Sequence, residues 1–150
     1  MATTGADPVF VDTNILIYAK QALSPFHAAA KTKLYDLDQA GHPLWLSRQV
    51  LREYLVAMSR PGALSAPVPL AMLAADVQSF QSQFAIADDM AVVTKELLDL
   101  LTKVPFAGKQ VHDANIAATM LAYGIGKLLT HNVADFARFA GYITVIPLIP

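Results

Sequence analysis

Short apolar segments alternate with longer stretches of helical composition along the chain. The apolar segments predict β-strands at residues 9–11, 44–46, 84–87, 127–130 and 142–146. The longer stretches predict helices at about 15–19, 25–40, 47–60, 68–83, 90–103 and 113–123, with Ser47 as the N-cap of the third. Turns or loops are expected at 12–14, at Pro61-Gly62, at 105–108 and at 132–139.

The alternation of strands and helices predicts the fold class. Helices between successive strands act as crossover connections, which give a parallel sheet covered by helices on both faces. We therefore expect a three-layer α/β/α sandwich with a central, mainly parallel sheet. Because no linker, repeat or low-complexity segment interrupts the chain, residues 1–150 are predicted to form a single domain.

The composition narrows the classes of function. With 11 Lys and Arg residues against 12 Asp and Glu residues, the formal net charge of −1 excludes a generally basic surface that coats nucleic acid. The absence of cysteine excludes disulfides, thiolate zinc sites and thiol nucleophiles. Hydrophobic residues make up 55% of the chain and charged residues only 15%, which predicts a covered apolar surface, as in a homodimer, unless the alanine content explains the excess.

The chain carries no recognisable targeting or membrane signal. Residues 1–8 have neither a basic nor an apolar region of the kind found in signal peptides. No apolar stretch approaches the roughly 20 residues that a membrane span needs. We expect a soluble, cytoplasmic protein.

Ligands of parallel sheets bind beyond the carboxyl ends of the strands, and Asp12 stands at such a position. An ionised carboxylate between an apolar strand and an apolar helix is costly unless a cation or several donors compensate it. A metal ion would compensate it, but Asp is also a common N-cap residue. Asn14 is either a supporting partner of Asp12 or a polar residue of the first helical turn.

Two further acids lie on predicted helices. Asp113 is in line with Ile116, Ala117 and Met120 at helical spacing, or it is the N-cap of that helix. The adjacent His112 is a candidate ligand or proton donor, or a histidine that bonds locally. Glu53 lies at the edge of the predicted buried face of helix 47–60, where it either reaches a cleft or is solvated.

Basic residues on the same helix are candidates for contact with phosphates. Arg48, Arg52 and Arg60 all lie on helix 47–60. An ordinary charged outer face explains them equally well.

Polar residues also follow the predicted strand 127–130. Thr130, Asn132 and Asp135 fall at its carboxyl end, although turns favour Asn and Asp for their own hydrogen bonds. Four acids from separate elements would then converge: Asp12, Glu53, Asp113 and Asp135. Such an oxygen-rich pocket suits Mg²⁺ or Mn²⁺, which can activate water for the hydrolysis of a phosphodiester.

Four sequence blocks in a fixed order carry a family resemblance across nearly the whole chain. They are VFVDTNIL at 9–16, SRQVLREYL at 47–55, HDANIAA at 112–118 and LTHNVADF at 129–136. Together they resemble the PIN-domain ribonucleases and, among these, the VapC-type toxins of bacterial toxin–antitoxin pairs. The resemblance implies that Asp12, Glu53 and Asp113 bind metal and that Thr130 and Asn132 form the family's polar turn.

The same resemblance implies an activity and partners. It implies an endoribonuclease that acts on a structured RNA such as tRNA, a homodimer, and a small antitoxin that covers the active site. Asn132 departs from the family, in which many members carry an acid at this position. The fourth acidic function is therefore weakened to an amide or supplied by Asp135.

Two other classes of function compete with this interpretation. Phosphohydrolases of the haloacid-dehalogenase kind also place an Asp after the first strand, but they need a second Asp two residues later, where this chain has Asn14. An inactive PIN-like module that only binds RNA or protein is the other alternative. The retention of three to four acids argues against it.

Overall fold

The computed structural model describes residues 5–60, 62 and 67–150, and these contain one parallel sheet of five strands. The strands are β1 (Val9–Val11), β2 (Leu44–Ser47), β3 (Ala85–Ala87), β4 (Lys127–Thr130) and β5 (Thr144–Pro147). Their order across the sheet is β3-β2-β1-β4-β5, and every pair of neighbours is parallel. The predicted parallel α/β architecture is confirmed.

Seven α-helices accompany the sheet in the described part of the chain. They are α1 (Thr13–Lys20), α2 (His27–Gln39), α3 (Arg48–Met58), α4 (Leu70–Gln83), α5 (Ala91–Lys103), α6 (Gln110–Tyr123) and α7 (Val133–Phe136). A 3₁₀ turn, Ala137–Phe139, follows α7. None of the described helices is long and apolar enough to cross a membrane.

The strand order creates a topological switch point between β1 and β4. The chain moves outward from β1 to β2 and β3, and then crosses back to β4 on the other side of β1. Because crossovers are right-handed, this reversal places α1–α4 on one face of the sheet and α5–α6 on the other. The crevice at the carboxyl ends of β1 and β4 is where sheets of this kind bind ligands.

The core packs around β1, whose residues Val9, Phe10 and Val11 are fully buried. On one side β1 pairs with β2, and on the other it pairs with β4. On α6 the small residues Ala114 and Ala117 are also fully buried. The buried strand β1 and the buried face of α6 therefore fix the backbone next to Asp12 and Asp113.

The structure differs from the predicted elements in three places. The expected turn at 132–139 is α7 and the 3₁₀ turn instead, because helical spacing lets both Phe136 and Phe139 enter the core. The expected turn at 12–14 is already helical from Thr13. Helix α6 begins at Gln110 rather than at residue 113, since the Gln110 side chain accepts a hydrogen bond from the Ala107 N–H.

The remaining boundaries shift by a few residues. The last strand begins at Thr144 instead of residue 142, because the N–H groups of Tyr142 and Ile143 donate to the Phe139 carbonyl and close a turn. Helix α3 ends at Met58, and the predicted break at Pro61 lies outside the described residues, as do residues 1–4.

Candidate metal and nuclease site

Asp12 lies at the end of β1, beside the switch point of the sheet. It is the N-cap of α1, and its Oδ1 accepts a hydrogen bond from the Thr13 N–H at 2.8 Å. Its Oδ2 accepts from the Thr130 hydroxyl at 2.7 Å and from Asn14 Nδ2 at 3.2 Å. Asp12 is therefore both a helix cap and part of a polar site.

The carboxyl group of Asp12 is costly to ionise. Burial raises its pKa from an ordinary 3.8 to about 6, although the hydrogen bonds from Thr130, Thr13 and Asn14 lower it, and the charge of Glu53 raises it further. Only 6% of the residue is exposed. A buried acid with a raised pKa and acidic neighbours is typical of a functional site.

The predicted polar turn after β4 is built around the buried Thr130. Its hydroxyl oxygen accepts from Asn14 Nδ2 at 3.3 Å and from the Asn132 N–H at 3.0 Å while its hydrogen is donated to Asp12. Asn14 Oδ1 accepts from the His131 N–H at 3.2 Å. These contacts join the two strand ends on either side of the switch point.

Glu53 on α3 is held by two neutral donors. Its Oε1 accepts from the Thr13 hydroxyl at 2.9 Å, and its Oε2 accepts from Gln49 Nε2 at 3.3 Å. The remaining lone pairs of both oxygens face no described donor, so the carboxylate keeps capacity to bind a cation.

Asp113 lies in the first turn of α6 and is not its N-cap, which is Lys109. Burial raises its pKa to about 6, and the charges of Asp135, Asp12 and Glu53 raise it as well, whereas His112 lowers it. The other three predicted acids are thus close enough to Asp113 for their charges to act on it. Asp135 itself is exposed on α7.

A cleft of about 600 Å³ opens over these groups. Its walls include three of the predicted acids, Asp12, Glu53 and Asp113, together with Asn14 and Asn132. Asp135 does not line the cleft, although its charge acts on Asp113. Of the two candidates for the fourth group, Asn132 is therefore the one that lines the cleft.

The three arginines of helix α3 and its C-terminal flank occupy different places. Arg52 and Arg60 line the cleft, and Arg52 pairs with Asp89 at 3.2 Å. Arg48 is not among the cleft residues and instead pairs with Asp88 at 3.0 Å. Only the first two are placed to meet a polyanion entering the cleft.

The chemistry of the donors fits a hard divalent cation. Carboxylate and amide oxygens line the cleft, and the pKa values of Asp12 and Asp113 are raised mainly by burial and further by neighbouring acids, both of which a bound cation would offset. Within residues 5–60, 62 and 67–150, no three acidic or histidine side chains are close enough to surround one ion directly. Hard cations that keep several of their own waters bind through only one or two protein carboxylates, so the donor types of the cleft are those that such a cation uses.

Three residues of the site were not assigned a role from the sequence. Thr13 holds Glu53, Gln49 contacts both Glu53 and the His112 carbonyl, and Asn115 contacts Gln49. Only their spacing from the predicted acids could have suggested a role in the site. Gln49 lies one helical turn before Glu53, and Thr13 follows Asp12 directly.

Comparisons with known proteins agree with this geometry. The sequence model of the PIN domain family matches residues 9–142. Ribonuclease VapC48 of Mycobacterium tuberculosis is 31% identical over 136 residues, which cover 87% of this chain and 90% of that protein. Its name assigns it ribonuclease activity.

Solved structures share the fold at lower sequence identity. VapBC2 of Rickettsia felis, bound to a DNA fragment from its promoter, superposes with a TM-score of 0.66 at 21% identity, covering 93% of this chain and 97% of that one. VapC20 of Mycobacterium tuberculosis, described as a toxin that cleaves the sarcin–ricin loop, gives 0.63 at 19% identity, covering 93% and 99%. These likenesses establish a common architecture.

Proposed function

The chain belongs to the PIN-domain family, and from this premise we propose that it is a metal-dependent endoribonuclease and the toxin of a toxin–antitoxin pair. One observation carries the proposal: Asp12, Glu53 and Asp113 come from three separate elements and line one cleft at the switch point of the sheet. The similarity to a ribonuclease over most of both chains supports RNA as the substrate.

Asp12, Glu53 and Asp113 would hold Mg²⁺ or Mn²⁺, directly or through the waters that the ion keeps, with Asn132 facing the same space. When bound, such an ion supplies an activated water and stabilises the negative charge that develops at a phosphodiester. No covalent attachment of the RNA to the protein is needed.

The protein's own side chains prepare this site. Thr130 and Asn14 donate hydrogen bonds to Asp12, which stabilise its ionised form and fix its orientation. Thr13 fixes Glu53 from the opposite side. Asp135 lies near Asp113 and is placed to influence its charge rather than to line the cleft.

Arg52 and Arg60 supply the positive charge that RNA needs at the mouth of the cleft. A local basic edge on a chain of net charge −1 favours a selective nuclease over one that binds any nucleic acid. Arg48 does not line the cleft and contributes less.

We also propose an antitoxin partner, a homodimer and action in the cytoplasm, where the RNA substrate is found. Large apolar side chains stay exposed on α4 and α5, including Leu70 at 74%, Leu98 at 56% and Leu101 at 52%. Surfaces of this kind are commonly covered by other chains. A structure with the same fold, from Klebsiella pneumoniae, is described as a toxin–antitoxin complex.

No feature of the described residues favours the inactive-module alternative. The haloacid-dehalogenase alternative also lacks support, because the Asn14 amide donates to Asp12 and Thr130 and, as a carboxamide, cannot serve as the acid or base that this chemistry needs.

The test is induced expression of wild type and Asp12→Asn in a bacterial host, with new RNA 5′ ends mapped by sequencing. Growth arrest and discrete new ends are expected with wild type alone, at equal protein levels. If wild type produces neither, or if Asp12→Asn produces both, the nuclease proposal is wrong.

A further inference from the structure

Gln49 links two acids of the cleft that belong to different helices. Its Nε2 donates to Glu53 Oε2 at 3.3 Å and to the backbone carbonyl of His112 at 2.8 Å. Glu53 and Gln49 lie on α3, whereas His112 directly precedes Asp113 on α6. A single amide group therefore ties the two helices together beside their acids.

We propose that Gln49 is a positioning residue that sets the separation of Glu53 and Asp113 to suit a divalent cation. This inference rests on the proposed function and deepens it. Gln49 is only 6% exposed, and it acts through Glu53 and the α6 backbone rather than on the substrate.

Asn115 determines which way round the Gln49 amide lies. Asn115 Nδ2 donates to Gln49 Oε1 at 2.8 Å. If the amide were turned over, its NH₂ group would face the NH₂ group of Asn115, and its oxygen would face the His112 carbonyl and the Glu53 carboxylate. All three contacts would become repulsive, so the hydrogen-bond chain permits one orientation.

Glu53 is consequently held from both sides. Thr13, at the start of α1, fixes Oε1, while Gln49 fixes Oε2. Both donors are neutral, so they orient the carboxylate without cancelling its charge. Packing alone gives no reason for a buried amide here, because the neighbouring Val50 and Leu51 fill the interior with apolar groups.

The test measures Mg²⁺ binding to the RNA-free protein by calorimetry, with wild type and Gln49→Met. Methionine matches glutamine in length and helix preference but cannot donate a hydrogen bond. Loss of a group that orients a metal ligand typically weakens metal binding by about 10- to 100-fold, and we expect a loss in that range. The matched control is Gln78→Met, at an exposed position on α4, which should bind Mg²⁺ as wild type does.

A second variant leaves Gln49 in place. Asn115→Ala frees the amide to turn over, so a smaller loss of Mg²⁺ affinity is expected, and the double variant should bind no more weakly than Gln49→Met alone. Circular dichroism confirms folding, and Asn115→Ala provides the test if Gln49→Met does not fold. With RNA, KM should stay near the wild-type value while kcat at limiting Mg²⁺ falls.

The outcomes separate the two proposals. If wild type binds Mg²⁺ and both single variants bind it equally well, the positioning role of Gln49 is wrong and the proposed nuclease stands. If the losses of the two variants add fully, Gln49 and Asn115 act independently and the inference is also wrong. If wild type binds no Mg²⁺, the metal-dependent function fails and this inference fails with it.

Discussion

Replacing Asp12 by asparagine should stabilise the metal-free protein at neutral pH while abolishing its activity. Asparagine has nearly the shape of aspartate, and its Oδ1 can still accept the hydrogen bond from the Thr13 N–H. It carries no charge, so the cost of holding an ionised carboxylate in a buried and acidic site disappears. A group retained for function rather than for stability behaves in this way.

The magnitude follows from the pKa of Asp12, which burial raises from an ordinary 3.8 to about 6. A difference of about 2 between the folded and unfolded pKa corresponds to roughly 3 kcal/mol of free energy of unfolding at pH 8. Asparagine presents an NH₂ group to Thr130 and Asn14 in place of an acceptor oxygen, which costs about 1 to 2 kcal/mol. The net gain is about 1 to 2 kcal/mol, a rise in Tm of roughly 2 to 8 °C.

The assay is urea unfolding of wild type and Asp12→Asn in EDTA at several pH values between 4 and 8. Because the folded protein binds the Asp12 proton more tightly than the unfolded chain, this residue stabilises the fold least at high pH. Its unfavourable contribution grows as pH rises from about 4 to about 6 and is constant above that. The difference in free energy of unfolding between Asp12→Asn and wild type should therefore grow between about pH 4 and about pH 6 and then stay constant.

Added Mg²⁺ should reverse the order of stability. An ion that binds only the folded wild type stabilises it by mass action, by about 2.7 kcal/mol at 100 times its Kd. The variant should gain much less. If the difference in stability between Asp12→Asn and wild type did not change between pH 4 and pH 8, Asp12 would not have the raised pKa on which the reasoning rests, and the reasoning would be refuted.

Three further predictions concern the same site. Because Asp113 and Asp12 both have a pKa near 6, Mg²⁺ affinity measured by calorimetry should increase as pH rises through about 6, and equal affinity at pH 5 and pH 7.5 would contradict this. Thr130→Val should lower the free energy of unfolding by about 1 to 3 kcal/mol in urea titrations, since it strands several polar groups, whereas Thr130→Ser keeps the hydroxyl and should lower it less, by the loss of one buried methyl group. Arg52→Gln should weaken RNA binding and reduce its salt slope by about 1, measured by fluorescence anisotropy in the Asp12→Asn background. Arg48→Gln, outside the cleft, is the control, and an equal effect of both changes would disprove the assignment.

Elements with a strong local pattern were predictable, and boundaries set by distant contacts were not. The buried run of β1 identified a central strand, and all five strands were expected near their observed positions. The helix after Asn132 was not predicted, because the reason for it is tertiary: helical spacing buries both Phe136 and Phe139 in the core. The early start of α6 accompanies a hydrogen bond from the Ala107 N–H to the Gln110 side chain, and the pattern of apolar residues gives no information about such a contact.

The sequence by itself determined which residues are candidates for the chemistry. Asp12 was a candidate because it follows an apolar strand, and ligands of parallel sheets bind at the carboxyl ends of the strands. Glu53 and Asp113, on helices, were added by the order of the family-like blocks, and all three line one cleft. Only the tertiary structure decided how these acids are held. The contacts that orient Glu53 join α3 to α1 and α6, and such pairings arise from packing, so no local pattern in the chain specifies them.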